Sequence, residues 1–230
     1  MRLSHPLLSS PIHWRENEIP VLAIEHPKLF RSMVFSLSAQ AEGEEGEASL
    51  SLAYEPLDCG EHLHVLRDYA SLPLEDRKLQ NRFQSLLQTM VREELAEETD
   101  ALQREIAGYL ERLVSASDYP VSLSGGEYVL PLLKALKCQP VLDGEEPLER
   151  LVQYLSLYSG LMKDQCFVLV AAHTYFSREE LQELYRMAAY EKWRILLLEQ
   201  RMSEPLPGEA FCLLDESLCE LRLDSGEEII

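Results

Sequence analysis

Basic residues spaced one helical turn apart are the side chains in this sequence with the clearest capacity for binding chemistry. Lys28 and Arg31 follow an apolar stretch at the start of a predicted helix, and Lys134 and Lys137 are predicted to share one face of another. Such cations can contact phosphate oxygens, especially at a helix amino terminus. Further basic candidates at predicted element ends are Arg77, Lys78 and Arg201. For each residue a solvated surface charge is the default interpretation.

The residues Leu123 to Glu127 spell LSGGE, the signature that holds a nucleotide phosphate in ABC ATPases. This function requires a P-loop, GxxxxGK[ST], and the sequence has none. We therefore interpret Ser124 and Glu127 as a capping box that opens a helix. Two apolar runs ending in carboxylates, 195–200 and 211–216, resemble Walker B strands, but without a P-loop their carboxylates are predicted to mark where the sheet meets water. The sequence predicts no catalytic apparatus.

Charge and composition limit the class of protein. The 230 residues include 21 Lys and Arg against 40 Asp and Glu, a net charge of −19. This balance disfavours indiscriminate phosphate binding, so a nucleic-acid surface would have to gather the few basic residues. No apolar run reaches the roughly 18 residues of a membrane span, and the start lacks a signal-peptide core, so we expect a cytoplasmic protein. The five scattered cysteines are interpreted mostly as buried free thiols.

A strand, a helix and a second strand organise the rest of the chain. Phe167 to Ala171 and Arg194 to Leu198 are continuous apolar runs, typical of strands covered on both faces. Between them, Ser177 and Glu180 form a capping box at the start of an amphipathic helix. This βαβ pattern predicts two neighbouring parallel strands. The fold class is therefore α/β, with a mostly parallel sheet in the head.

The middle of the chain has a different pattern. Apolar residues recur at helical spacing from Leu79 to Leu113, and neither Gly nor Pro interrupts residues 74–107. We predict one long helix, or two collinear helices with a break near Thr99 and Asp100. Residues 59–139 are accordingly predicted to form an all-helical lobe, inserted into a discontinuous head of residues 1–58 and 140–230. The apolar stripe of this lobe has no second helix of equal length to cover it, which predicts association with other copies of the chain.

Four segments together carry a family resemblance. They are residues 1–12 (MRLSHPLLSSPI), 21–30 (VLAIEHPKLF), 129–137 (VLPLLKALK) and 167–201, which begins FVLVAAHTYFSREELQELY. Their content and order resemble the accessory spacer-acquisition protein of type II-A CRISPR systems. The resemblance is densest in the head and weakest between residues 57 and 126.

The resemblance implies a fold like that of a degenerate P-loop ATPase, without bound nucleotide or enzymatic activity. It implies a homotetrameric ring whose lysine-lined channel holds the ends of double-stranded DNA without regard to sequence. The core of the DNA-binding surface would be Lys28, Arg31, Lys134 and Lys137, with Arg77, Lys78 and Arg201 as weaker candidates. The implied protein partners are the CRISPR integrase and the type II effector nuclease of the same locus.

The resemblance also implies calcium that steadies the ring. An acidic run that precedes the VLPLLKAL-like helix in relatives is replaced here by Ser124, Gly125, Gly126 and Glu127. Because calcium prefers six to eight oxygen ligands, we expect this chain to bind it weakly, with Asp118 and Glu127 as the candidate ligands. Two functions of other classes stay open: an ABC-like ATPase that uses LSGGE, and a protein-binding scaffold.

Overall fold

A computed structural model describes residues 1–123 and 126–223 of the chain. The strands are β1 (Arg2–Ser4), β2 (Ile12–His13), β3 (Ile19–Ile24), β4 (Ser49–Leu52), β5 (Glu55–Leu57), β6 (Leu63–Leu66), β7 (Cys166–Val170), β8 (Arg194–Glu199), β9 (Glu209–Leu214) and β10 (Glu220–Leu223). The α-helices are α1 (Pro27–Ala41), α2 (Cys59–His62), α3 (Arg77–Thr89), α4 (Ala96–Ser115), α5 (Val129–Ala135), α6 (Pro147–Leu161), α7 (Ala172–Tyr175) and α8 (Arg178–Glu191), and Met90–Glu94 is π-helical.

Within the described residues, the larger sheet has six strands in the order β10-β9-β3-β8-β7-β6. All neighbours run parallel except β10, which is antiparallel to β9. Every residue of β3 and of β7 is buried, as continuous apolar strands covered on both faces require. The predicted βαβ unit is confirmed: β7 and β8 are parallel neighbours, and α8 between them starts with the Ser177 and Glu180 capping box. The α/β class with a mostly parallel sheet is therefore correct.

A smaller antiparallel sheet has the order β2-β1-β4-β5. β4 and β5 form a hairpin whose turn residues, Ala53 and Tyr54, have φ of 49° and 71°. This left-handed pair matches the twist of the strands but usually requires Asn or Gly. Leu3 and Leu50 are buried in the same core as the apolar face of α1.

The chain divides into two compact units, Met1–Leu72 with Leu142–Ile230, and Pro73–Val141. Residues 59–72, which the sequence pattern assigned to the helical lobe, belong to the first unit. Leu63–Leu66 form β6, which pairs in parallel with β7 at the edge of the larger sheet. The strand is only four residues long and follows the one-turn helix α2 directly, so its alternation was too short to detect.

The second unit contains α3, the π-helical turn, α4 and α5. The helix break lies at Leu95 (φ −113°, ψ 27°), whose N–H donates to the Met90 carbonyl (2.8 Å). The prediction of a break near Thr99 and Asp100 was wrong, since both residues lie within α4. The Thr99 hydroxyl instead donates to the Val91 carbonyl (3.0 Å), in the turn that the π-bulge distorts.

None of the described helices is both long and apolar enough to cross a membrane. All five cysteines are free; Cys59, Cys166 and Cys212 are buried, as expected, whereas Cys219 is exposed. Burial raises the pKa of the Cys212 thiol to about 11, so this thiol stays protonated at neutral pH.

Candidate nucleic-acid interface

The amino end of α1 presents Lys28 and Arg31 to solvent at the carboxyl edge of the larger sheet. β3 ends at Ile24, and Pro27 opens the helix where its missing N–H costs little. The positive end of the helix dipole therefore adds to the two side-chain cations. Within residues 1–123 and 126–223 neither cation has an ion-pair partner. Their charge is thus available to an external anion.

Arg201 lies at the same edge of the sheet. β8 runs parallel to β3 with Ala23 opposite Glu199, so the segments that follow both strands emerge side by side. Arg201 comes shortly after β8 and is exposed. The structure therefore gathers Lys28, Arg31 and Arg201 at one edge.

Lys134 and Lys137 are both exposed but do not share a helix face, contrary to the prediction. α5 ends at Ala135 in a Schellman motif, in which the Lys137 N–H donates to the Lys134 carbonyl (3.1 Å) and the Cys138 N–H to the Leu133 carbonyl (3.4 Å). Lys137 takes the left-handed position with φ of 51°. Helical spacing therefore does not relate the two lysines.

Arg77 and Lys78 are exposed in the first turn of α3, where the Asp76 carboxylate caps the helix by accepting from the Lys78 N–H (2.8 Å). The Gln84 side chain, farther along α3, donates to the Cys138 carbonyl (2.6 Å) and ties this helix to the turn after α5. Arg77, Lys78, Lys134 and Lys137 all belong to the unit Pro73–Val141. The seven predicted DNA-binding residues are thus divided, three in one unit and four in the other.

The two predicted calcium ligands are exposed side chains in the second unit. Glu127 pairs with Arg92 (3.8 Å), and Asp118 follows the end of α4. In the described part of the chain, no three His, Cys, Asp or Glu side chains are grouped closely enough to hold a metal ion. The predicted capping box falls partly on Ser124, which with Gly125 lies outside the described residues; the described helix, α5, begins at Val129 after an N-cap at Tyr128.

A buried polar cluster includes residues of the loop that carries Arg201, and sequence reasoning did not find it. His173 Nε2 is 2.6 Å from Glu209 Oε1, and His173 Nδ1 is 2.6 Å from Ser203 Oγ. The Tyr185 hydroxyl donates to the same oxygen of Glu209, and the Leu206 N–H donates to the other oxygen (2.7 Å). Because Ser203 and Leu206 lie in the loop between β8 and β9, the cluster fixes the loop that carries Arg201.

Glu199 is a further buried carboxyl group beside His173, and its burial shows that one prediction was wrong. It was expected to mark where β8 meets water, but it is only 3% exposed, and its Oε1 accepts from the His173 N–H (3.0 Å). Burial raises the pKa of Glu199, and hydrogen bonds from the His173 and Ala172 N–H groups oppose that shift in part. The carboxyl group therefore orders the turn after β7, where Ala171 takes a left-handed conformation (φ 56°).

The protonation states of the cluster follow from its contacts. Burial lowers the pKa of His173, but the hydrogen bond and negative charge of Glu209 outweigh burial, so the pKa is raised overall. Burial and the nearby Glu209 charge raise the pKa of Tyr185, which therefore acts as a donor. The cluster therefore favours the protonated form of His173 and holds the loop between β8 and β9 in place.

Both the sequence and the fold are similar to known proteins. A family profile described as CRISPR-associated protein (Cas_Csn2) matches residues 40–218. The fold is similar to that in the crystal structure of Stu0660 of Streptococcus thermophilus, with a TM-score of 0.56 and 12% sequence identity over 98% of this chain and 77% of that chain. No curated protein matches the sequence.

The family profile covers most of the chain, including the strands β6, β7, β8 and β9 of the larger sheet and the loop that carries Arg201. The structural similarity extends over almost the whole chain and indicates a similar overall fold. The sequence resemblance to the type II-A CRISPR accessory protein agrees with the family profile. The chain belongs to the CRISPR-associated Cas_Csn2 family.

Proposed function

We propose that the protein is an accessory factor of CRISPR adaptation that binds the ends of double-stranded DNA, independently of sequence, while new spacers are acquired. Family membership supports the CRISPR setting. The DNA-binding proposal depends chiefly on one observation, the grouping of exposed Lys28, Arg31 and Arg201 at one edge of the larger sheet. Contacts from such cations to phosphates bind duplex DNA without reading its bases.

The charge of the chain makes this edge distinctive. A net charge of −19 repels DNA over most of the surface, so binding has to be concentrated where cations are not neutralised by carboxylates. Lys28 and Arg31 meet this condition and gain from the dipole of a 15-residue helix. Lys134, Lys137, Arg77 and Lys78, all exposed in the second unit, remain candidates for further phosphate contacts.

We further propose that the protein works as a homotetrameric ring. α4 has no buried residue over its 20 positions. Leu102, Tyr109 and Leu113 along it, with Leu95 just before it, recur at four- or seven-residue steps with 42% to 59% of their surface exposed. A soluble chain rarely leaves such a stripe uncovered, which supports association between copies. Closed cyclic assembly would use identical interfaces and leave no unpaired stripe.

In this proposal the protein acts by binding and not by catalysis. The sequence lacks GxxxxGK[ST], so we propose that no nucleotide cofactor is used and that the ABC-like ATPase alternative does not apply. Calcium would bind weakly, through Asp118 or Glu127. The proposed protein partners are the CRISPR integrase and type II effector nuclease of the same locus, in the cytoplasm.

The shape of the DNA provides the direct test of end binding. A ring that threads an end should bind a linear duplex more tightly than a closed circle of the same sequence, and the solution mass should match four chains with and without DNA. Equal affinity for the two forms would contradict the threading of ends. Saturable binding and turnover of ATP with Mg²⁺ would instead support the ATPase alternative.

A further inference from the structure

A cavity of about 820 Å³ lies at the amino ends of β3, β8 and β9, within the first unit. Its lining includes Ile19 at the start of β3, Arg194 at the start of β8 and Gly208 just before β9. These strands are parallel, so the cavity is on the edge of the sheet opposite Lys28 and Arg31. Its volume is within the range of pockets that bind ligands. It is therefore a second site, separate from the proposed DNA surface.

Three aromatic side chains line the cavity. The chain has two tryptophans, Trp14 and Trp193, and both line the cavity together with Tyr185. The Trp14 indole N–H donates to the Ile195 carbonyl (2.9 Å), and Trp193 is 7% exposed, so neither ring needs to be ordered by a ligand. Trp, Tyr and Arg are the residues that most often dominate the energy of protein interfaces.

Cations outnumber anions in the cavity lining, although the chain as a whole is strongly acidic. Four cationic and two anionic side chains line it. Arg186 and Arg194 are already paired with carboxylates outside the lining, at 2.5 Å and 3.1 Å. Arg15 makes a longer contact with Glu18 (3.5 Å), and Lys192 has no ion-pair partner in the described part of the chain. Lys192 is thus the cation best placed to receive an anionic ligand, and Arg15, whose partner Glu18 also lines the cavity, is the second.

We propose that this cavity binds a short acidic peptide segment of a partner protein, with an apolar side chain against the indoles and carboxylates at Arg15 and Lys192. Charge complementarity and the aromatic and arginine lining favour this occupant. The cavity lies at the carboxyl end of α8, whereas bound phosphates are typically found at the amino ends of helices. A peptide carboxylate therefore fits the site better than a nucleotide phosphate.

Intrinsic tryptophan fluorescence tests the proposal, since both tryptophans line the cavity. The full chain is titrated with a short peptide of alternating glutamate and leucine, with a lysine and leucine peptide of equal length as the reversed-charge control. We expect a saturable change with the acidic peptide alone. In the double variant Arg15→Glu/Lys192→Glu, the dissociation constant should rise by about tenfold or more.

A matched variant separates this proposal from the proposed function. Lys28→Glu/Arg31→Glu carries the same change in charge at the opposite sheet edge and should leave peptide binding unchanged, whether or not it weakens DNA binding. Circular dichroism and thermal melting establish that both variants are folded. The proposal is overturned by the absence of a saturable change at millimolar acidic peptide, by an equal response to the lysine peptide, by undiminished affinity of the folded Arg15→Glu/Lys192→Glu variant, or by tighter binding of adenosine monophosphate.

Discussion

The Glu209 side chain is fully buried and accepts hydrogen bonds from His173, Tyr185 and the Leu206 N–H. A buried carboxyl group is tolerated only where such donors replace water. Here the donors come from α7, α8 and the loop between β8 and β9, so one residue ties together three parts of the chain. Arg201 lies at the start of that loop.

Removing the imidazole should change how stability depends on pH. The folded-state pKa of His173 is raised, so protonation stabilises the fold. This contribution is fully present below the unfolded pKa of about 6.5 and is lost as pH rises through the folded pKa. Denaturant titration between about pH 5 and 8 measures the free energy of unfolding of the wild type and of His173→Gln. The wild-type value should exceed that of the variant by the largest amount at the acidic end. A difference that stays constant or grows toward alkaline pH would contradict this assignment.

The cluster was not predictable from the sequence because its members are far apart in the chain. Ser203 and Glu209 lie 30 and 36 residues from His173, and no short motif connects them. Glu199 did stand out, as a carboxylate after an apolar strand. Its burial, however, depends on the turn after β7, which only the folded chain places against it. By contrast, Lys28 and Arg31 follow one strand directly, so local order was enough to place them.

At the scale of elements, α8 is stabilised by its capping box. Ser177 Oγ accepts from the Glu180 N–H (3.2 Å), and the Glu180 side chain accepts from the Ser177 N–H (2.7 Å). Ser177→Ala should lower the free energy of unfolding by about 1 kcal/mol in denaturant titration. Ser32→Ala, an exposed position within α1, is the control and should change it by at most a few tenths. Equal effects of the two substitutions would show that the cap contributes nothing.

The exposed stripe of α4 should govern assembly. Leu102→Glu/Tyr109→Glu places charge on that stripe, which would be desolvated if another copy covers it, so the solution mass should fall toward that of one chain. Ala101→Glu/Ser115→Glu adds the same charge at exposed positions of α4 outside that stripe and should leave the mass unchanged. Light scattering at micromolar concentration measures both. A wild-type mass of about 26 kDa, that of one chain, would contradict the assembly itself.

Elements with long periodic patterns were predictable, and short ones were not. The apolar runs of β7 and β8 and the capping box of α8 appear directly in the sequence. β6 is a strand because β7 provides hydrogen bonds along its whole length, a long-range cause that four residues cannot signal. The apolar spacing likewise continues through the π-helical turn, so it does not signal the helix break at Leu95. The predicted break near Thr99 and Asp100 was therefore several residues too far along the chain.

At the scale of the whole molecule, calcium should matter little. A ligand stabilises a fold in proportion to the logarithm of its concentration over its dissociation constant. Among the described residues, no three His, Cys, Asp or Glu side chains are grouped closely enough to hold a metal ion. Millimolar Ca²⁺ should therefore shift the melting temperature by no more than a degree or so, as with Mg²⁺. A shift of many degrees with Ca²⁺ alone, abolished in Asp118→Asn or Glu127→Gln, would show that these carboxylates form a strong site.

The distribution of charge over the molecule leads to the central claim, that DNA is bound at the edge carrying Lys28 and Arg31. Most of the surface is acidic, so neutralising a few cations there should have a large effect. Lys28→Gln/Arg31→Gln removes two of them, whereas Lys163→Gln/Lys192→Gln removes two exposed lysines that precede β7 and β8 at the opposite edge.

The most direct test is the salt dependence of affinity for a linear duplex, measured for the wild type and both variants. Removing one cation that binds a phosphate should make the log–log slope shallower by about 0.9, so Lys28→Gln/Arg31→Gln should weaken binding and flatten the slope by about twice that amount. The effect should be the same for duplexes of different sequence, and the Lys163→Gln/Lys192→Gln control should behave as the wild type. Unchanged slope and affinity in an intact, assembled Lys28→Gln/Arg31→Gln protein would contradict the placement of the DNA surface.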